Sequence, residues 1–314
     1  MSTAEQLNQQ FSIKGMLRFY SSSSGMHFCE ISNEYATAVV ALHGAHVVHF
    51  QPHREEPVLW VSEYTHVKPG KAIRGGIPVC WPWFGPHPSD ASKPAHGFGR
   101  ILDWQVIETG IGSDGETFIT FQLTDDETTR KYWNLKFDLK LKVTVSQSLR
   151  VELITHNPAS APFIYSGALH SYFNVEHAGN IAIYGLDGHF YLDKLDNNKR
   201  KLQQGPVMIR DATDRIYLNT SDDCLIHDPD KHRIIRVAKE GSRSTVAWNP
   251  WMHKAQAMED FGDDEFKDMV CIESGNVVND MVRVGPGQTH RLATIISVEP
   301  PVCLPHTMRD GPID

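Results

Sequence analysis

The sequence predicts an all-β protein made of antiparallel sheets, with a few short helices. Three observations carry that prediction. Apolar and polar residues alternate with period two over long stretches, many short apolar runs are punctuated by Ser, Gly and Pro, and no β-α-β rhythm appears. Many strands without long intervening helices fit a large sandwich or a barrel.

Along the chain, Ser2 and Glu5 have the spacing of a capping box, which predicts a short helix within an N-terminal extension over residues 1–15. From Met16 the pattern changes to strand-like runs, "MLRFY", "ATAVVAL", "HVVHFQP" and "VLWVS". "FITFQL" follows. Next comes "LKFDLKLKVTV", in which Leu135, Phe137, Leu139, Leu141, Val143 and Val145 alternate with polar residues. That period describes a strand with one buried and one wet face. "LRVELIT" repeats it after a turn at Ser146–Ser148, so the two form a hairpin. "IIRVAK", "MVCIES" and "RLATIISVEP" are further strands, while "WMHKAQAMEDF" and "DDEFKDM" are helical. No compositional break divides residues 1–314, which predicts a single domain.

The bulk properties exclude several classes of function. Of the 314 residues, 40% are hydrophobic and 22% charged, as in ordinary globular proteins. A formal net charge of -8, with no run of Lys or Arg, cannot attract a polyanion, so nucleic acid is excluded as a partner. The five cysteines, Cys29, Cys80, Cys224, Cys271 and Cys303, are far apart and form no C-x-x-C pair. Free thiols fit a reducing compartment. No apolar run approaches the roughly 20 residues that a bilayer requires. A cytoplasmic monomer with no membrane association is the expectation.

"IRGGIPVCWPWFGPH" followed by "HGFGR" concentrates the chemistry. Neither glycine pattern matches a nucleotide-binding loop, so Gly75 and Gly76 serve either a tight turn or a close ligand approach. Arg74 and Arg100 bracket the stretch, and a guanidinium fork suits a phosphate. The competing reading pairs each with a carboxylate such as Asp90 or Asp103. Trp81, Trp83 and Phe84 either wall a sugar ring or plug the core. His43, His46 and His49 lack the spacing of a metal site. His170, among small and aromatic residues, is either a core histidine or an acid. Glu273 follows a buried-looking strand and is either a turn cap or a base facing a pocket. Asp214 sits beside Arg215, and an internal salt bridge is its simplest role.

Together, "AIRGGIPVCWPWFGPH", "HGFGR", "LHSYFNV", "DRIY", "WNPW" and "CIESGNV" resemble the D-hexose-6-phosphate mutarotases (glucose-6-phosphate 1-epimerases), a branch of the aldose 1-epimerase group, from about Tyr35 to Pro300. The resemblance implies a galactose-mutarotase-like β-supersandwich. It also implies that His170 and Glu273 are catalytic and that Arg74, Arg100, His96 and Asp214 bind substrate. Trp83 is expected at the substrate as well, and because two proton-transfer groups suffice for mutarotation, no cofactor is expected. Ala95 departs from the pattern, since some members carry Gln there. The expected substrate is a small hexose phosphate, most readily glucose 6-phosphate. The alternatives are a neutral-sugar epimerase and a non-catalytic sugar-phosphate-binding protein.

Overall fold

The computed structural model describes residues 3–301, so Ser2 and Cys303 lie outside the described residues. The all-β reading holds: about 45% of the chain is strand and 11% helix. Three α-helices occur among the described residues, Ala4–Phe11, Glu127–Tyr132 and Trp251–Gln256.

Two large antiparallel sheets dominate. The nine-stranded sheet runs from Val207–Met208 at one edge, through Arg233–Glu240, Thr289–Glu299, Leu149–His156 and Asp138–Val145, to Gln105–Ile111 at the other. The eight-stranded sheet places Ser244–Asn249 and Met269–Asn276 at its centre, with Thr213–Leu218 on one side and Gly167–Leu169 on the other. A four-stranded meander spans Leu17–Ser21, His27–Ser32, Ala36–Ala41 and His46–Pro52. All three contribute to one apolar cluster, which includes Val40, Phe121, Leu141, Leu153, Ile272 and Ile296.

The predicted hairpin forms with Val145 opposite Leu149. Phe137, Leu139, Leu141, Val143 and Val145 are all buried, and the ladder starts at Asp138, leaving Leu135 exposed outside it. Four local readings need correction. The helix cap is Thr3, whose hydroxyl and Gln6 close the capping box one residue later than predicted. "VLWVS" forms no ladder, because Leu59 bridges Phe173 while Val61 bridges Gly75, so its backbone bonds are split among separate partners. "WMHKAQAMEDF" is helical only over Trp251–Gln256, and "DDEFKDM" is a single 3-10 turn at Glu265–Lys267. Sequence reading missed the helix Glu127–Tyr132, which is capped by Asp126 and Thr129.

Trp81 is fully buried and packs against Phe98, Trp133, Phe137 and Tyr165. It plugs the core rather than walling a ligand. Truncation to alanine leaves a large unfilled cavity, so Trp81→Ala is expected to cost roughly 3–5 kcal/mol in urea unfolding. Undiminished stability with loss only of ligand affinity would contradict this placement.

Candidate active site

The site follows from the register of the eight-stranded sheet. Gly167–Leu169 and Tyr172–Asn174 both pair with Met269–Asn276, and Leu169 opposite Ser274 and Tyr172 opposite Cys271 keep one common register. That register sets His170 across from Glu273. The ladder breaks at His170, whose N–H donates instead to the Pro78 carbonyl at 3.1 Å. On the far side of the central strand, Glu273 lies opposite Val246 and Cys271 opposite Trp248, which in turn lies opposite Asp214.

Alternate residues of a strand face opposite ways. His170, Tyr172, Glu273, Trp248 and Asp214 therefore share one face, while Leu169, Ile272 and Ala247 enter the main core from the other. The Glu273 strand is buried along its whole length, because Trp60, Trp248, Phe261 and Phe266 pack over the Cys271 end of the site face.

His170 Nε2 lies 3.3 Å from Glu273 Oε1, and the Glu273 side chain is 1% exposed. The Tyr172 ring stacks on the imidazole at 4.8 Å between centroids and 11° between planes. Glu273 Oε2 and His170 Nδ1 are buried without a hydrogen-bond partner. Burial drives the Glu273 carboxyl well above its ordinary range, and the charge of Asp214 adds to this, opposed by Lys194 and Arg100. Burial drives His170 well below its ordinary value, with His96, Arg100 and Arg74 pushing the same way. Both directions favour the neutral forms. A protonated Glu273 facing a neutral His170 holds the same number of protons as a carboxylate facing an imidazolium, and the two arrangements differ by one transfer along the 3.3 Å line.

Arg74 and Arg100 line one cavity of about 300 Å³ with His66, Lys71, Glu259 and Asp260. Neither pairs with Asp90 or Asp103. Arg74 Nη2 donates to both carboxylate oxygens of Asp260 at 3.1 Å, and its Nη1 donates to the Tyr172 hydroxyl at 3.2 Å. Arg100 Nη2 donates to the Ala95 carbonyl at 2.9 Å. The Nε–H of each arginine is buried and unpartnered. Asp260 escaped sequence reading because it lies far from Arg74 along the chain, in the turn after a short helix.

His96 lies edge-on to His170 at 5.8 Å between centroids. Burial, reinforced by Arg100, Lys194, Arg74 and Lys254, pushes its pKa down to about 3, so it is a neutral hydrogen-bonding group. Asp214 does not pair with Arg215, because adjacent strand residues face opposite ways. Arg215 reaches Gln203 on the core side, while Asp214 has Lys254 Nζ at 3.9 Å. Burial raises the Asp214 pKa, opposed by Lys194 and Lys254.

Trp83 also belongs to the core. It is 6% exposed, packs edge-on to Phe98 and donates from its indole N–H to the Pro94 carbonyl. Gly75 and Gly76 admit neighbouring backbone rather than a ligand: with φ +113° and +61°, their Cβ atoms would meet Trp60 O at 2.4 Å and Val47 O at 2.2 Å. These approaches stitch the Arg74 loop to two neighbouring segments. His43 lies 2.8 Å from Asp103, and His46 lies 2.7 Å from the Gly75 carbonyl, so both are structural.

The antiparallel supersandwich places the chain in the class of galactose-mutarotase-like folds. A galactose mutarotase-like protein from Clostridium acetobutylicum superposes with a TM-score of 0.70 at 16% identity over 90% of this chain and 98% of that one, a likeness of fold alone. The crystal structure of a "putative mutarotase" from Salmonella typhimurium superposes with a TM-score of 0.86 at 34% identity, covering 93% of this chain and 96% of that one. An Escherichia coli protein named "Putative glucose-6-phosphate 1-epimerase" is 39% identical over 245 residues, 78% of this chain and 81% of that protein. The family model described as Aldose 1-epimerase matches residues 28–297, and the chain belongs to that family.

The raised Glu273 pKa has a spectroscopic consequence. At about pH 6, well above the ordinary Glu value, the ligand-free protein should still show a protonated-carboxyl infrared band. Glu273→Gln should remove that band. An identical spectrum for the variant would show that Glu273 is ionised.

Proposed function

We propose that this chain interconverts the α and β anomers of a hexose 6-phosphate, with glucose 6-phosphate as the first substrate to test. One observation carries the reading. A carboxylate and an imidazole 3.3 Å apart lie close to a cavity lined by two arginines. The names of the relatives point to the same substrate.

Mutarotation needs two proton transfers. Glu273, as carboxylate, takes the proton of the anomeric hydroxyl. That electron pair forms the C1=O1 bond, the C1–O5 bond breaks, and O5 takes a proton from His170. Rotation about C1–C2 presents the other face of the aldehyde, and the reverse transfers close the ring. Neither step consumes an electron or an outside group, so the pair returns to its starting state.

Arg74 and Arg100 would hold the phosphate, since both line the same cavity and a guanidinium donates readily to phosphate oxygens. Neutral His96 and Asp214 border the same face and suit sugar hydroxyls. The positive charges of Arg100 and Lys194 favour the carboxylate form of Glu273 that the first step uses.

Glu273→Gln and His170→Ala should each slow anomer exchange of glucose 6-phosphate, read by NMR, by roughly 10²- to 10⁴-fold while the fold persists. Full activity in both variants would remove the assigned roles. The wild-type rate should also be greater with glucose 6-phosphate than with free glucose, and equal efficiency would refute the phosphate site.

The pH profile follows from the two shifts. The reactive pair carries one proton, so activity falls below the lowered His170 value, where both groups are protonated. It falls again above the raised Glu273 value, where both have lost their protons. The plateau of kcat/KM should therefore extend below the ordinary histidine value of about 6.5 and above the ordinary carboxyl value of about 4.3. An acid limb at or above the ordinary histidine value would contradict the lowered His170 pKa.

A further inference from the structure

We propose that Tyr172 is a positioning residue that joins the two halves of the site, its hydroxyl orienting Arg74 for an anion and its ring fixing the plane of the His170 imidazole. The inference rests on reading Arg74 and Arg100 as the phosphate site. Tyr172 is 1% exposed and lies in an apolar cluster with Trp60, Trp248, Phe261, Met269 and Cys271. Phenylalanine would fill that space without introducing a polar atom. A buried hydroxyl costs free energy unless it is bonded, and this one takes a hydrogen bond from Arg74 Nη1 at 3.2 Å.

The hydroxyl matters because of what else holds Arg74. Asp260 binds Nη2 alone, through both carboxylate oxygens. One anchor leaves a planar guanidinium free to pivot toward the acid, whereas a second anchor on Nη1 fixes its plane. The Arg74 guanidinium is then held in one orientation on the cavity that it shares with Arg100.

The ring acts on the other half. It lies parallel to the imidazole, 4.8 Å away, while Trp248 closes against the same imidazole edge-on at 6.1 Å. Nε2 is thereby aimed at Glu273 Oε1 rather than left to rotate. Tyr172 can do both because its strand pairs with the Glu273 strand, Tyr172 directly opposite Cys271.

Two substitutions separate the hydroxyl from the ring. Anomer exchange is measured with glucose 6-phosphate and with free glucose for the wild type, Tyr172→Phe and Tyr172→Leu, with thermal melting to confirm folding. Tyr172→Phe keeps the stack and deletes the anchor. It should reduce the kcat/KM preference for the phosphorylated sugar roughly tenfold or more, the effect of losing a hydrogen bond to a charged group, through KM rather than kcat. Tyr172→Leu should in addition lower kcat, by up to roughly 10²-fold for a misplaced proton donor.

A wild-type preference that survives in Tyr172→Phe overturns the role of the hydroxyl, and equal kcat values in the two folded variants overturn the role of the ring. A wild-type protein with no preference for the phosphorylated sugar removes the phosphate site itself, and the hydroxyl's role falls with it.

Discussion

The structure turns on one constraint of sheet register: an ionisable pair placed across two neighbouring strands, on a strand buried from both sides. Met269–Asn276 is the central strand of its sheet, with the sandwich core on one face and an aromatic cover over part of the other. Moving its pairing by a single residue would send Glu273 into the apolar interior and bring Ile272 to the site. The interleaving of Val270 and Ile272 with Cys271 and Glu273 resists such a slip, because each face of the strand has its own set of neighbours. The geometry of the His170–Glu273 pair is thus held by the same contacts that hold the fold.

Burial sets the chemistry as well as the position. Removing an ionised carboxylate from water costs several kcal/mol, so Glu273 and His170 are pressed toward their neutral forms. Lys194, Arg100 and Arg74 oppose or reinforce that pressure from the rim without direct contact with the carboxylate. The result is a pair pressed toward its neutral arrangement, one proton transfer away from the charged one. Glu273 Oε2 and His170 Nδ1 are buried with bonds unmade, each at a cost of about 1–3 kcal/mol.

The conspicuous motif around Trp81 has a different part from the one its composition suggests. Trp81 and Trp83 brace the core, Gly75 and Gly76 let the loop pack against Trp60 and Val47, Arg74 and the later Arg100 line the cavity, and Phe84 packs on the later His96, which touches His170. The strand alternation in Asp138–Val145 was legible because period two reports directly on burial. "VLWVS" was misread because apolar composition is blind to whether successive residues share one partner strand. Asp214 was misread beside Arg215 because chain neighbours in a strand face apart, so proximity in sequence is the poorest guide to an ion pair there.

Sequence alone determined the all-β class and the hairpin of Asp138–Val145 with Leu149–His156, since periodicity is a local property, whereas His170, Glu273, Arg74 and Arg100 were given roles only through the family resemblance. Only the tertiary structure decided that His170 stands opposite Glu273, that Arg74 is shared between Asp260 and Tyr172, and that the tryptophans turn inward. Those outcomes depend on which strands pair and in what register. Pairing joins residues about a hundred positions apart through backbone hydrogen bonds, which carry no side-chain signature for a sequence to display.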